Sequence, residues 1–208
     1  MGPRRGGKTS IQRVVFDKMS PHETMFLEPT PHLARREETH NIVARFEIWD
    51  FPGDYDTSGD NDQASFWLFF QLLFSFFFFL TTNIITLTRF VDSWLQDDPI
   101  EDTLHRLVNT VRHAYNINPN LDVEVFIHKV DGDLYMTDEP KDDCLREVQA
   151  FISRNVSQYN LDIKITYYLT SIYDHSIFDA ISKVVQKLIP QLPTLALMLN
   201  HLIEVTLT

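Results

Sequence analysis

Gly2-Pro3-Arg4-Arg5-Gly6-Gly7-Lys8-Thr9 sets Gly, four residues, then Gly-Lys-Thr, the spacing that lets a main chain wrap phosphate oxygens. The N–H groups of Gly6 and Gly7 can curl toward an anion, Lys8 adds a point charge at the outer phosphates, and Thr9 offers a hydroxyl to Mg²⁺. Ile11, Val14 and Val15 continue at helical spacing, so the positive end of a helix points at the same anion. Asp50-Phe51-Pro52-Gly53 ends an alternating run; there Asp50 can hold Mg²⁺ through water and the Gly53 N–H can meet a terminal phosphate. Taken alone, that tetrapeptide reads more readily as an ordinary turn. His128-Lys129-Val130-Asp131 supplies a carboxylate at Asp131 that accepts from the ring N–H and exocyclic amine of guanine, donors that adenine lacks. The Lys129 stem lies along the base plane. Thr170-Ser171-Ile172-Tyr173 adds main-chain N–H groups for the guanine oxygen. Each signal is weak alone; in this order, and following a strand in every case but the first, they converge on a guanine-nucleotide site.

The elements that must carry these loops alternate. Ile42, Ala44, Phe46 and Ile48 point one way and Val43, Arg45, Glu47 and Trp49 the other, which predicts a strand over Ile42–Trp49. Asp98-Pro99-Ile100-Glu101 reads as a capping box with Pro at the first helical position, and Leu104, Leu107, Val108, Val111 and Tyr115 follow at helical spacing, predicting a helix from Pro99 to Tyr115. Val123–Ile127 and Ile163–Leu169 read as strands, and the periods through Leu145–Val156 and Ile177–Leu188 as helices. The acidic run Asp138–Asp143 reads as a helix start. Strands separated by helices of this length imply an α/β fold with one mainly parallel sheet covered on both faces.

Composition narrows the function. The chain has 208 residues, 44% apolar and 23% charged, enough for a full hydrophobic core in one domain. Its net charge of −11 argues against broad binding to a nucleic-acid backbone. The acidity lies beyond the first 40 residues, which hold 7 Lys/Arg against 5 acids. A lone Cys144 makes no internal disulfide or cysteine zinc site and suits a reducing, cytosolic setting. His105 and His113 read as surface side chains on a helix, since no Cys/His/carboxylate cluster has metal-ligand spacing.

One segment departs from this pattern. Gln63–Thr88 is 26 residues without a charge and holds 8 of the 16 Phe. It is long enough to cross a bilayer. The Phe-Leu-Ser composition is also that of a translated pyrimidine tract, the mark of a retained intron. A folded insert is the third reading.

The stretches Arg4-Arg5, Ser10–Phe16 with Lys18-Met19-Ser20-Pro21, Trp49–Gly53, Phe126–Gly132, Tyr168–Phe178 and Val184–Pro190 together resemble the Rag GTPases of the Rag C and Rag D (Gtr2-like) branch. That resemblance implies a P-loop NTPase fold of the Ras-like G-domain type, here with its first strand missing. The nucleotide-binding set it implies is Arg4, Arg5, Gly6, Gly7, Lys8, Thr9 and Ser10, with His128, Lys129, Asp131, Ser171 and Ile172. Thr30 becomes the switch threonine closing on Mg²⁺ and the γ-phosphate, so that Thr9, Thr30 and Asp50 form the metal set and Lys8, Thr30, Gly53 and Asp54 the catalytic one. GTP/GDP and Mg²⁺ are the implied ligands. The implied partners are a Rag A/B-type (Gtr1-like) GTPase, a lysosomal or vacuolar scaffold and the target-of-rapamycin complex, reached by a cytoplasmic protein recruited to that membrane surface.

Besides the missing first strand, the chain departs from the family in three respects. Asp54 stands where the family has Gln, and a carboxylate there orients water poorly and repels the γ-phosphate, which predicts slow hydrolysis. The Phe-rich run replaces the second switch helix and the strand after it. The expected domains are a G domain over 1–195, interrupted at 63–88, and the start of a linker over 196–208. The family's C-terminal dimerisation domain is not expected in these residues. Against the switch stand a non-hydrolysing interaction module, which Asp54 favours, and a single-pass membrane protein using Gln63–Thr88, which would split one nucleotide site across a bilayer.

Overall fold

The computed structural model describes residues 1–40, 44–53, 83–89, 100–131, 137–188 and 197–198. Met1–Pro3 form no strand. Helix α1 (Lys8–Asp17) begins where the phosphate loop ends and buries Ile11 and Val14. Lys18 stops it at φ 58°, with its own N–H and that of Met19 both donating to Arg13 O, a left-handed helix ending. A short 3-10 turn over Pro21–Phe26 follows, and the Glu23 carboxylate accepts from Ser20 N at 3.1 Å at its entry.

Strand β1 (Ala34–His40) runs antiparallel to β2 (Ala44–Asp50), in register from Ala34↔Asp50 to His40↔Ala44. The sequence gives no sign of β1, because Arg35-Arg36-Glu37-Glu38 looks like a solvated loop. Ladder hydrogen bonds do not depend on side-chain polarity, and charged residues are what edge strands tolerate best. The Arg35 guanidinium adds a contact over the Trp49 ring, 5.3 Å from its centroid. Of the expected Ile42–Trp49 strand, residues 44–49 lie in β2 and residues 42–43 lie outside the described residues.

The parallel sheet has the order β3-β4-β5, from Asn83–Arg89, Asp122–His128 and Lys164–Thr170. Besides α1, the helices α2 (Ile100–Ile117), α3 (Asp138–Gln158) and α4 (Ser176–Leu188) lie against it. The expected helices and strands here all form, with ends shifted by one or two residues where only the apolar period marked them; Asp98 and Pro99 of the expected capping box lie outside the described residues. Helix α3 starts at Asp138, as the acidic run implies.

The described strands fall into two groups, the antiparallel β1-β2 pair and the parallel trio, in keeping with the expected mainly parallel α/β fold. One expectation needs correction. The strand after the second switch was expected to be replaced by the apolar run. Instead Asn83–Arg89 is β3, in parallel register with β4 from Asn83↔Asp122 to Arg89↔His128. Ile84, Ile85, Thr86 and Thr88 are β-branched and suit a pleated sheet, so the end of the uncharged run is sheet and not membrane helix. The rest of that run, through Thr82, lies outside the described residues. Among the described residues no helix is long and apolar enough to cross a membrane.

Strand β4 sits between two cores, which explains its unbroken burial from Val123 to His128. Val123, Val125 and Ile127 pack with Leu107 and Val111 of α2 and with Val148 and Ile152 of α3. Phe126 faces the other way, onto Ile11 and Val14 of α1 and Ile177 and Val184 of α4. The period of two then puts Glu124 and His128 on the Phe126 side, with His128 at the end where the phosphate loop enters α1.

Candidate nucleotide site

Three oxygens predicted to share a metal come together. Thr9 Oγ1 donates to Asp50 Oδ2 at 2.6 Å, Thr30 Oγ1 donates to the same oxygen at 3.1 Å, and the two hydroxyls lie 2.9 Å apart. They arrive from the first turn of α1, from the segment before β1, and from the last residue of β2, whose Asp50 is 7% exposed. Hard oxygen donors are what Mg²⁺ takes, and neighbouring oxygens around an octahedral Mg²⁺ are about 2.9 Å apart. The residues present therefore fit that ion. Asp54, the remaining expected catalytic residue, lies outside the described residues.

The phosphate loop is shaped by its own main chain. Gly6 N donates to Pro3 O at 3.2 Å, and Lys8 Nζ reaches back to Gly2 O at 2.7 Å and Pro3 O at 2.9 Å. Arg5 and Gly7 have φ of 57° and 86°, the alternation that turns successive N–H groups inward as an anion-binding nest. Arg4 and Arg5 are exposed at the rim, while Ser10, the third residue of α1, is half-buried. Gly53 is required by contact: a Cβ there would overlap the Arg4 main chain, so the turn after Asp50 can approach the loop only as glycine.

His128 lies beneath that loop and not at its surface. It is fully buried, its Nδ1 shares a 3.1 Å hydrogen bond with Thr170 Oγ1, and its Nε2 has no hydrogen-bond partner among the described residues. A Cβ on Gly7 would stand 2.7 Å from His128 Cδ2 and 3.1 Å from Nε2. Burial, then the Lys129 charge beside it, push the imidazole down to about 4 against smaller upward pulls from Thr170 and Asp174, so it is neutral near pH 7. Thr170, expected only as the start of the fourth loop, joins two loops: its carbonyl also accepts from Lys129 N at 2.9 Å and Val130 N at 3.4 Å. A Thr ending a buried strand beside a second buried loop was the available signal.

The base loops are held in place from behind. Lys129 has φ 68° and its Cε lies 3.7 Å from the Gly7 Cβ position, so its stem runs along the phosphate loop, and Asp131 is exposed at the rim. Ser171 N donates to Ser176 Oγ at 2.9 Å and Tyr173 N to Ser171 Oγ at 3.0 Å. Ser176 in turn donates both its N–H and its hydroxyl to Asp174 Oδ1. Two of the loop's main-chain N–H groups are therefore already engaged within it. The Ser171 and Tyr173 amides serve the loop itself, and Ile172 is the amide placed between them.

A phosphate loop opening a helix, an acidic residue ending a neighbouring strand, and two loops at the same ends of parallel strands define a P-loop NTPase of the Ras-like G-domain class. The sequence profile of the Gtr1/RagA G protein conserved region matches residues 1–207. The chain is 45% identical over 206 residues to the Ras-related GTP-binding protein D of Mus musculus, covering 98% of this chain and 41% of that one. Identity to the human Ras-related GTP-binding protein C is also 45%, over 98% of this chain and 47% of that one. For the GTP-binding protein gtr2 of Schizosaccharomyces pombe it is 45%, over 96% and 57%. The chain therefore spans about half the length of the curated relatives it matches. It belongs to the Gtr1/RagA family of G proteins, on the Rag C, Rag D and Gtr2 branch.

Proposed function

We propose that this chain binds GTP and GDP with Mg²⁺ and acts as the switch domain of a Rag C/D-type GTPase. The observation that carries this reading is the meeting of Thr9, Thr30 and Asp50 within 3.1 Å of one another, from three separate segments. Magnesium would supply charge neutralisation at the β- and γ-phosphates, and these three residues would hold it. Lys8 would exchange its two loop carbonyls for phosphate oxygens. Asp131 would select guanine, and the Ile172 amide would meet the guanine oxygen. Thr30 and Gly53 would respond to the γ-phosphate, so the GTP and GDP states would differ in the segments around them.

Hydrolysis would be transfer of the γ-phosphoryl group to water, slowed by Asp54. In a single-turnover assay, Asp54→Gln is expected to raise the rate. Fast turnover by the native chain that falls in Asp54→Gln would refute that role. Binding without measurable hydrolysis would make the chain a nucleotide-gated interaction module. By its family, the switch would pair with a Rag A/B-type (Gtr1-like) GTPase and act in amino-acid signalling to the target-of-rapamycin complex, at a lysosomal or vacuolar scaffold to which a cytoplasmic protein is recruited.

A titration with fluorescent GDP tests the binding reading. GTP should compete, ATP should not, and EDTA should release the probe. Asp50→Asn should lose most of the Mg²⁺ dependence. Soluble, monodisperse protein that ignores GDP and GTP alike would overturn the proposal.

A further inference from the structure

Thr30 reaches the metal-facing oxygens from the segment Lys18–Arg35, which contains only the 3-10 turn and the first two residues of β1 as regular structure. Such a segment has many conformations to lose, and fixing its ends removes a large share of them. Its ends are fixed by one carboxylate. Asp17, the last residue of α1, accepts Arg13 Nη1 on Oδ2 at 2.8 Å and Arg36 Nη1 on Oδ1 at 2.5 Å, so each oxygen takes a different guanidinium. Arg13 lies one turn back on α1, and Arg36 lies in β1 opposite Ile48. Two register positions away, Ala34 faces Asp50. The helix that carries Thr9 is thus tied to the strand pair that carries Asp50, and Thr30 lies in the loop between them.

We propose that Asp17, clasped by Arg13 and Arg36, is a positioning residue for Thr30, closing the switch segment at its two ends and favouring the state in which Thr30 stands on Thr9 and Asp50. The inference rests on the nucleotide-switch reading above and adds a residue to it that touches neither nucleotide nor metal. The hydrogen bonds from Arg13 and then Arg36 hold the Asp17 carboxyl below its ordinary range, so the clasp stays charged through neutral and mildly acid pH. The three side chains are 47%, 23% and 33% exposed, and a contact of this exposure weakens with salt. Its strength suits a switch, because a small bias on two nearly balanced loop states changes their populations several-fold.

The test uses the full chain with Asp17→Asn, and Arg36→Ala as a second variant that breaks the clasp from its other end. Each is expected to weaken Mg·GTP relative to Mg·GDP by about 3- to 10-fold, because only the triphosphate state needs Thr30 in place. Raising salt should erode the GTP preference of the native chain more than that of Asp17→Asn. The exchanged pair Asp17→Arg with Arg36→Asp should recover part of the preference, which a merely structural role would not do. Amide hydrogen exchange over residues 27–33 of the nucleotide-free chain reads the same clasp without any ligand, and should speed up in both variants. Unchanged exchange there, or an unchanged GTP-to-GDP ratio in variants that still bind nucleotide, would overturn the clasp. A native chain that binds no guanine nucleotide would overturn the switch reading instead, and with it the positioning role.

Discussion

Gly7 leaves the phosphate loop at φ 86° with the His128 ring against the position a Cβ would take. Gly7→Ala therefore meets two separate costs: about 1 kcal/mol or more for a side chain in the left-handed region, and an overlap with a fully buried imidazole. Adding His128→Ala removes the second cost and leaves the first. Urea denaturation of the single and double variants should show the double recovering part of the Gly7→Ala loss. If it recovers none, the ring does not limit that position.

The same histidine makes stability depend on pH. Its folded value of about 4 lies below the unfolded value of about 6.5, so the unfolded chain binds the extra proton first as acid is added. Its contribution is fully present above about pH 6.5 and is lost as pH falls toward 4, about 3 kcal/mol in all. His128→Gln should flatten that stretch of the stability curve. An equal slope in native and variant chains would show that other groups set it.

At the element scale, a charged pair joins α4 to the sheet. Glu124, mid-strand in β4, has no exposed surface and receives Lys187 Nζ at 2.8 and 3.1 Å; the same nitrogen donates to Thr166 Oγ1 at 3.1 Å and Tyr168 OH at 3.3 Å. Burial works against the Lys187 charge, but the hydrogen bonds to Glu124 and Tyr168 outweigh it and raise its pKa. Lys187→Met would strand a buried carboxylate and should cost about 3–5 kcal/mol in denaturation, whereas Glu124→Gln with Lys187→Met should recover most of it. Equal losses would mean that the packing of the Lys187 stem matters more than charge. This pair fixes the end of α4 on the sheet. The beginning of α4 is fixed by Ser176 and Asp174, which also shape the guanine-facing loop.

For the whole molecule, ligand and fold should stabilise each other. The nucleotide loops hang on β2, β4, β5 and the start of α1, and a ligand bound only by the folded chain adds about 2.7 kcal/mol at a hundredfold excess over its Kd. For a chain of this size that corresponds to a rise in Tm of roughly 5–10 °C. Differential scanning fluorimetry should show the rise with GDP and Mg²⁺, less of it with GDP and EDTA, and none with ATP. A rise of equal size with ATP would remove the role given to Asp131.

The four loops, their order and the helices and strands between them were legible in the amino-acid sequence, because local periodicity and turn chemistry write those features into adjacent residues. Thr9 and Asp50 could be read there as Mg²⁺ holders from their motifs, but Thr30 joined them only through family resemblance, since a lone hydroxyl so far from both carries no spacing rule. The charged strand β1, the strand hidden at the end of the Phe-rich run, the inward-facing His128 and the Arg36–Asp17 contact were decided by tertiary structure. Each depends on what the chain brings alongside from a distance: a ladder partner, a flanking strand, a glycine with no side chain, or an opposite charge.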